Sequence, residues 1–192
     1  MPWFEDYNEE KSEILPLPEG FMVRPAVVTD IEPIARIREE REEREYEGLL
    51  VDVKKLFDEY RDVETTHVFT AEGDGAVVGF SIMRYFIPGD DAPVNTAPEG
   101  WYLLGINVLK KYRRRGIGTE LIMARLRAIP NEFKKAYFFT NTKNFTSQAF
   151  HAKVGFTEIK EDIIFPNRKP TTIYYEIDMD ELRARDFKPL VP

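Results

Sequence analysis

The stretch carrying the most chemistry is Lys110-Lys111-Tyr112-Arg113-Arg114-Arg115-Gly116-Ile117-Gly118, basic in every one of its first six positions but Tyr112, inside a chain of net charge −7. Glycines at 116 and 118 let a ligand approach the backbone and leave N–H groups uncovered. A helical pattern starts beside them, and the first turn of a helix leaves four N–H groups unpaired at the positive end of its dipole. Arginines add forked donors that match phosphate oxygens. A strand feeding such a turn is suited to hold a pyrophosphate. The Gly-Lys-Ser/Thr ending of a Walker A loop is absent, and so is the third glycine of a dinucleotide fingerprint. A solvated basic loop is the plainer alternative.

The elements that must position this stretch are legible on either side. Trp101 to Leu109 reads as a strand. Ile117, Leu121, Ala124 and Ala128 form one stripe of a helix stopped by Pro130, and Ile122, Leu126 and Ile129 form another, so this helix is expected to be largely buried. Upstream, Phe21 to Val27 reads as a strand, with Pro25 suggesting an edge. Thr29 and Glu32 have capping-box spacing and Pro33 suits a first turn, so a helix follows. The charged run Arg38 to Glu47, with pairs such as Glu40–Arg44, reads as its solvated surface. Leu49, Leu50, Val53, Leu56, Phe57 and Tyr60 mark a second helix. His67–Glu72 and Ala76–Phe86, joined by Gly73-Asp74-Gly75, read as a hairpin. Downstream come a strand at Ala136–Thr140, a helix from about Asn144 to Val154 closed by Gly155, and strands around Phe156–Phe165 and Thr171–Met179. Residues 1–20 read as an acidic N-terminal extension, 21–179 as one domain and 180–192 as a C-terminal tail. Mixed strands and helices with a central hairpin predict an α/β domain on a mixed sheet.

Composition narrows the function classes. The 192 residues, 43% of them hydrophobic, can build one core, which argues against disorder or a fibre. With no cysteine the chain cannot form disulfides, thiolate-held zinc or iron–sulfur, or an enzyme thioester, and two histidines give no histidine-rich metal site. The acidic start Met1-Pro2-Trp3-Phe4-Glu5-Asp6 lacks the basic region of a signal peptide, and no apolar run approaches the roughly 18–20 residues of a membrane span. A soluble cytoplasmic protein is expected. His67, Tyr112, Tyr174 and Tyr175 read as packing residues, and Ser147 as a helix-start polar residue.

The basic stretch resembles the acetyl-CoA-binding motif of the GCN5-related N-acetyltransferase (GNAT) superfamily, Arg/Gln-x-x-Gly-x-Gly/Ala, here Arg113-Arg114-Arg115-Gly116-Ile117-Gly118. The hydrophobic strand that the family places before it is matched by Leu104-Gly105-Ile106-Asn107-Val108. A second block agrees: Asn144-Phe145-Thr146-Ser147-Gln148-Ala149-Phe150-His151, then Lys153-Val154-Gly155-Phe156, resembles the family's Asn-helix-Tyr-x-x-x-Gly-Phe motif. The resemblance covers roughly residues 21–179. It implies an α+β fold with a mixed, mostly antiparallel sheet of six to seven strands, about four flanking helices and a V-shaped split between the fourth and fifth strands. It also implies acetyl-CoA as cosubstrate, an amine acceptor and a homodimer; composition adds the expectation of no metal, and the acidic charge and lack of a long apolar run that of neither nucleic acid nor membrane as partner. By position, Ile106, Asn107 and Val108 would meet the pantetheine arm, the Val108 N–H polarising the thioester carbonyl. The N–H groups from Arg114 through Arg115, Gly116, Ile117 and Gly118 to Thr119 would cradle the pyrophosphate. The Arg113 to Arg115 side chains would reach cofactor phosphates, and Asn144 would bond the pantetheine region. The chain departs from the family at His151, where a tyrosine often protonates the leaving thiolate. Imidazole can also donate, or His151 can simply pack the helix.

Without a cysteine, the simplest scheme is direct attack of a primary amine on acetyl-CoA. An alkyl ammonium has a pKa near 10, so the amine must first lose a proton. Glu99, Asp90, Asp91 or solvent are the options for the base. A polyamine-like amine, a lysine side chain, an aminoglycoside or a protein N-terminus would serve as acceptor. Two other classes stay open: a non-catalytic acetyl-CoA sensor on the same fold, and a nucleic-acid module using Lys110 to Arg115.

Overall fold

Asp74 and Gly75 both take positive φ, 52° and 74°, in the turn between β2 (Thr66–Gly73) and β3 (Ala76–Phe86). Two left-handed residues in succession suit the right-handed twist of the flanking strands, so the expected hairpin forms. The computed structural model describes residues 15–62, 65–93, 95–159, 163 and 172–188. Beside the hairpin, β1 (Met22–Pro25) pairs antiparallel with β2 at the sheet's edge, the position that Pro25 suggested. With β4 (Gly100–Val108), β5 (Lys135–Asn141), β6 (Thr157–Glu158) and β7 (Thr172–Asp178) the sheet has, among the described residues, seven strands in the order β1-β2-β3-β4-β5-β7-β6. β7 is antiparallel to both β5 and β6, whereas β4 and β5 run parallel. Their parallel ladder joins Trp101–Leu103 to Ala136–Phe138, after which β4 continues to Val108. This is the mixed, mostly antiparallel sheet expected. Of the long strand foreseen around Phe156–Phe165, Thr157 and Glu158 are strand; Trp3, Phe4 and most of 160–171 lie outside the described residues.

Among the described residues, five helices accompany the sheet: α1 (Ile31–Arg41), α2 (Tyr46–Asp62), α3 (Ile117–Ala128), α4 (Phe145–Val154) and α5 (Met179–Ala184). α5 occupies the start of the segment read as a tail. Asp178 caps it, accepting from the N–H groups of Asp180 and Glu181 at 2.8 and 2.9 Å, and Met179 and Leu182 are buried. α1 departs from expectation at both ends. Asp30, not Thr29, stands at its cap, after a 3-10 turn over Val28–Asp30. At the other end it stops at Arg41, and Glu42 is extended. Continuing would stack Glu39 on Glu43 and Glu43 on Glu47 at i,i+4, with carboxylates at the negative end of the dipole. The foreseen Glu40–Arg44 pairing gives way to Arg44 on Asp52 at 2.7 Å.

The chain forms two compact units. The first comprises residues 15–83 of the described chain with Gly105–Arg125. Its core packs Ile34, Ala35 and Ile37 of α1 and Val53 and Phe57 of α2 against Val68 and Phe80. Of the two apolar stripes of α3, Ile117, Leu121, Ile122, Leu126 and Ile129 are buried, whereas Ala124 is half-buried and Ala128 is exposed at the helix end. Arg125 is buried too, its Nε donating to Leu121 O at 3.2 Å and its Nη1 to Ile82 O at 2.9 Å; burial pushes the guanidinium pKa down to about 9. The second unit comprises Arg84–Leu104 and residues from Leu126 on. One face of its strands carries Tyr102, Tyr137 and Tyr174 with Phe86 and Phe139, the other Phe138 and Tyr175.

An ion-pair cluster around the buried Asp30, with half-buried Arg24 and Glu72, anchors the first unit. Asp30 accepts from both Nη atoms of Arg24 at 2.7 and 2.9 Å and from the Val27 N–H at 2.8 Å, and Arg24 also binds Glu72. Burial pushes the Asp30 carboxyl up, but the Arg24 and Val27 donors outweigh it and hold the group below the usual carboxylate range. Asp30→Asn keeps the shape and removes the charge pairing, so it should cost about 2 kcal/mol at neutral pH. The folded-state pKa lies below the unfolded one. The contribution is therefore full above about pH 4 and is lost as pH falls through the folded value. Urea denaturation of both chains from pH 7 downward should show the gap between them closing only in that acid window.

Candidate functional site

β4 supplies the first part of the site, within the first unit. The Leu109 N–H donates to Val78 O of β3 at 3.0 Å. Strand alternation therefore turns the N–H and C=O of Ile106 and Val108 to the opposite edge. Two arginines confirm the direction. Arg41, the last residue of α1, donates to Ile106 O at 3.0 Å and also to Asn107 Oδ1, and Arg113 Nε donates to Val108 O at 2.9 Å. Glu40 accepts the Lys110 N–H at 2.5 Å, so the last turn of α1 grips the end of β4 twice. Neither Arg41 nor Glu40 was foreseen. Their partners lie 65 to 70 residues away, beyond the reach of any local pattern.

The loop itself follows a 3-10 turn over Lys110–Tyr112, where Tyr112 is buried as an anchor. Arg114 and Gly116 then take positive φ, 63° and 80°. A side chain in this region costs energy for any residue but glycine, so holding Arg114 there needs support from outside the loop. Among the described residues, a Cβ built on Gly116 meets nothing within 4 Å, so they leave open space beside the loop's backbone at the point where α3 begins. Gly116 O accepts the Glu120 N–H at 3.2 Å as one of the helix's opening bonds, which puts Ile117, Gly118 and Thr119 in its first turn with N–H groups that helical bonding does not use. Arg113 and Arg115 turn to protein carbonyls, Val108 O and Pro16 O, while Arg114 is exposed. The arrangement suits a polyanion held by backbone N–H groups with the arginines as flanking charge.

α4 supplies the remaining sequence candidates, within the second unit. Asn144 caps the helix, its Oδ1 accepting the Ser147 N–H at 3.1 Å. Gly155, at φ 116°, closes it. His151 is buried to 6% exposure, stacked on Phe138 with centroids 3.7 Å apart and edge-on to Phe150 and Phe156. Its Nδ1–H donates to Ser147 O at 2.8 Å. A neutral ring in that tautomer has a lone pair on Nε2, so donation from Nε2 requires the imidazolium. Of the base options, Glu99 is exposed and accepts the Tyr85 hydroxyl at 2.6 Å, and this bond pushes the Tyr85 pKa up to about 12. Tyr85 is itself lodged edge-on to Trp101 and Phe133. Asp90 and Asp91 sit at an exposed turn.

The sequence matches the acetyltransferase (GNAT) family over residues 31–156, two thirds of its length. The chain is a GNAT acetyltransferase. Among GNAT relatives it is 28% identical over 145 residues to an N-alpha-acetyltransferase of Sulfurisphaera tokodaii, covering 73% of this chain and 82% of that protein. It is 33% identical over 105 residues to an aminoglycoside N(6′)-acetyltransferase type 1 of Salmonella typhimurium, covering 52% of this chain and 68% of that one. The fold is shared with the PaiA N-acetyltransferase of Thermoplasma acidophilum, solved in complex with coenzyme A, at a TM-score of 0.61 and 15% identity over 83% of this chain and 99% of that one. This GNAT chain is thus an enzyme of the acyltransferase class. Among the described residues, no helix is long and apolar enough to cross a membrane.

Proposed function

We propose that the chain transfers the acetyl group of acetyl-CoA directly to a primary amine, with the α-amine of a peptide as its foremost acceptor. The observation that carries the cofactor reading is the loop at Arg114 and Gly116, two left-handed residues beside open space at the start of α3. The N–H groups from Arg114 to Thr119 would hold the pyrophosphate, and Ile106 and Val108 would present their outward backbone groups to the pantetheine arm. The cosubstrate supplies the acetyl group as a thioester; the chain has no cysteine with which to relay it. The Val108 N–H would stabilise charge developing on the acetyl oxygen, and close placement of the amine supplies much of the remaining rate. His151 would return a proton to the departing thiolate from Nε2 as the imidazolium. The α-amine preference rests on likeness to a relative named for N-alpha-acetylation, matched over more of this chain than the aminoglycoside enzyme.

Calorimetric titration with acetyl-CoA, dephospho-CoA and ATP tests the first half. Micromolar binding of acetyl-CoA, weaker for dephospho-CoA and absent for ATP, is the expected order. A panel of peptide α-amines, lysine side chains, spermidine and an aminoglycoside then tests the second, with CoA release as readout. A peptide α-amine turning over no faster than the others would sink the acceptor assignment, and full turnover by His151→Phe would take the proton-donor role from His151.

A further inference from the structure

Residues 15–19, which precede β1, run along the first unit as a strap, and one end of that strap is fastened to the phosphate loop. At the far end the Glu19 N–H donates to Asp74 Oδ1 at 3.0 Å while Glu19 O accepts the Asp74 N–H at 2.8 Å, tying the strap to the β2–β3 turn. Between them Pro18 is buried against Gly73, where an added Cβ would collide with the proline ring. At the near end the Leu15 N–H donates to Arg114 O at 3.0 Å, and Arg115 Nη1 donates to Pro16 O at 3.0 Å. Leu15 and Leu17 are themselves exposed, at 41% and 44%, so the strap is not held there by burying their side chains.

The bond to Arg114 O has a consequence for the loop's binding face. In a trans peptide the C=O of one residue and the N–H of the next point in opposite directions. Drawing the Arg114 carbonyl toward Leu15 therefore turns the Arg115 N–H away from the strap, toward the face left open beside Gly116. The same bond supports Arg114 in a left-handed conformation that a residue with a side chain adopts at a cost. We propose that Leu15–Glu19 is a positioning element for cofactor binding: it presets the Arg114–Arg115 peptide so that the loop meets the pyrophosphate already ordered. This rests on the acetyl-CoA reading of the loop and assigns to the segment before β1 a part in affinity rather than in chemistry.

Leu15→Pro removes the N–H that makes the bond. Leu15 already precedes Pro16, which confines it to the extended region where proline's own φ lies, so the exchange is sterically mild. Three chains, wild type, L15P and L15A, are titrated with acetyl-CoA and assayed with acetyl-CoA and with S-acetylpantetheine, which has the thioester but no pyrophosphate. L15P should raise the Kd for acetyl-CoA about tenfold, the size of one net hydrogen bond carried into affinity. L15A keeps the N–H and should bind as wild type does. Turnover of S-acetylpantetheine should be the same for all three, which a general loosening of the fold would not allow. Wild-type affinity in L15P, or an equal loss on S-acetylpantetheine, overturns the positioning role while leaving the cofactor reading intact. Absence of acetyl-CoA binding by the wild-type chain overturns the cofactor reading and the strap's role together.

Discussion

Gly116→Val is expected to weaken acetyl-CoA binding about a hundredfold, close to 2.7 kcal/mol, and to leave a folded protein. The two effects separate because of where the added atoms go. At φ 80° a valine backbone is strained, a cost of about 1–2 kcal/mol against folding. Among the described residues beyond its chain neighbours, no atom lies within 4 Å of the new Cβ, so these add no clash at that atom. What the branched side chain does meet is the space beside the loop's N–H groups, the space assigned to the pyrophosphate. Gly116→Ala carries the same backbone penalty with less bulk, and should lose less affinity for a similar loss of stability. Calorimetric titration and thermal melts on both variants read the two costs independently. If valine lowered the melting temperature yet left the affinity for acetyl-CoA unchanged, the pyrophosphate would have to bind elsewhere.

That loop was legible in the sequence because its signals are local. Basic residues, two glycines and an apolar helix pattern all fall within one short stretch, and the Asp-Gly hairpin and the α2 stripe are equally self-contained. What escaped was set by distant partners. Asp30 displaced Thr29 at the cap of α1 because Arg24 and Thr70 converge on its carboxylate, and Thr70 is 40 residues away. The charged run after Arg38 looked like helix surface, yet Arg41 leaves it to bind Ile106 O. Arg113 and Arg115, read as reaching cofactor phosphates, also donate to Val108 O and Pro16 O, the second of these 99 residues away. His151 was visible as a departure from the tyrosine of the family motif, but its stacking on Phe138 and its tautomer depend on β5 and on the local course of α4. A motif names the residues; only the packing decides which of their atoms remain for a ligand.

Val108→Pro puts the oxyanion assignment to the sharpest test, because the strand geometry lets one N–H be removed without breaking the sheet. The Leu109 N–H bonds to Val78 O, so the Val108 N–H lies on the other edge of β4, and the pairing with β3 does not use it. Proline is tolerated where no ladder bond is lost, and it requires Asn107 to stay extended, which the strand already imposes. Charge on the acetyl oxygen grows only as the amine attacks. The loss should therefore fall on kcat, by about 100- to 1000-fold, with the KM for acetyl-CoA close to that of the wild type. Leu109→Pro is the counterpart: it deletes the bond to Val78 O, and is expected to lower the melting temperature together with every kinetic constant. A Val108→Pro enzyme that kept its kcat would show that another donor faces the acetyl oxygen. A stable protein with normal acetyl-CoA affinity and a collapsed kcat would place that donor at the last residue of β4.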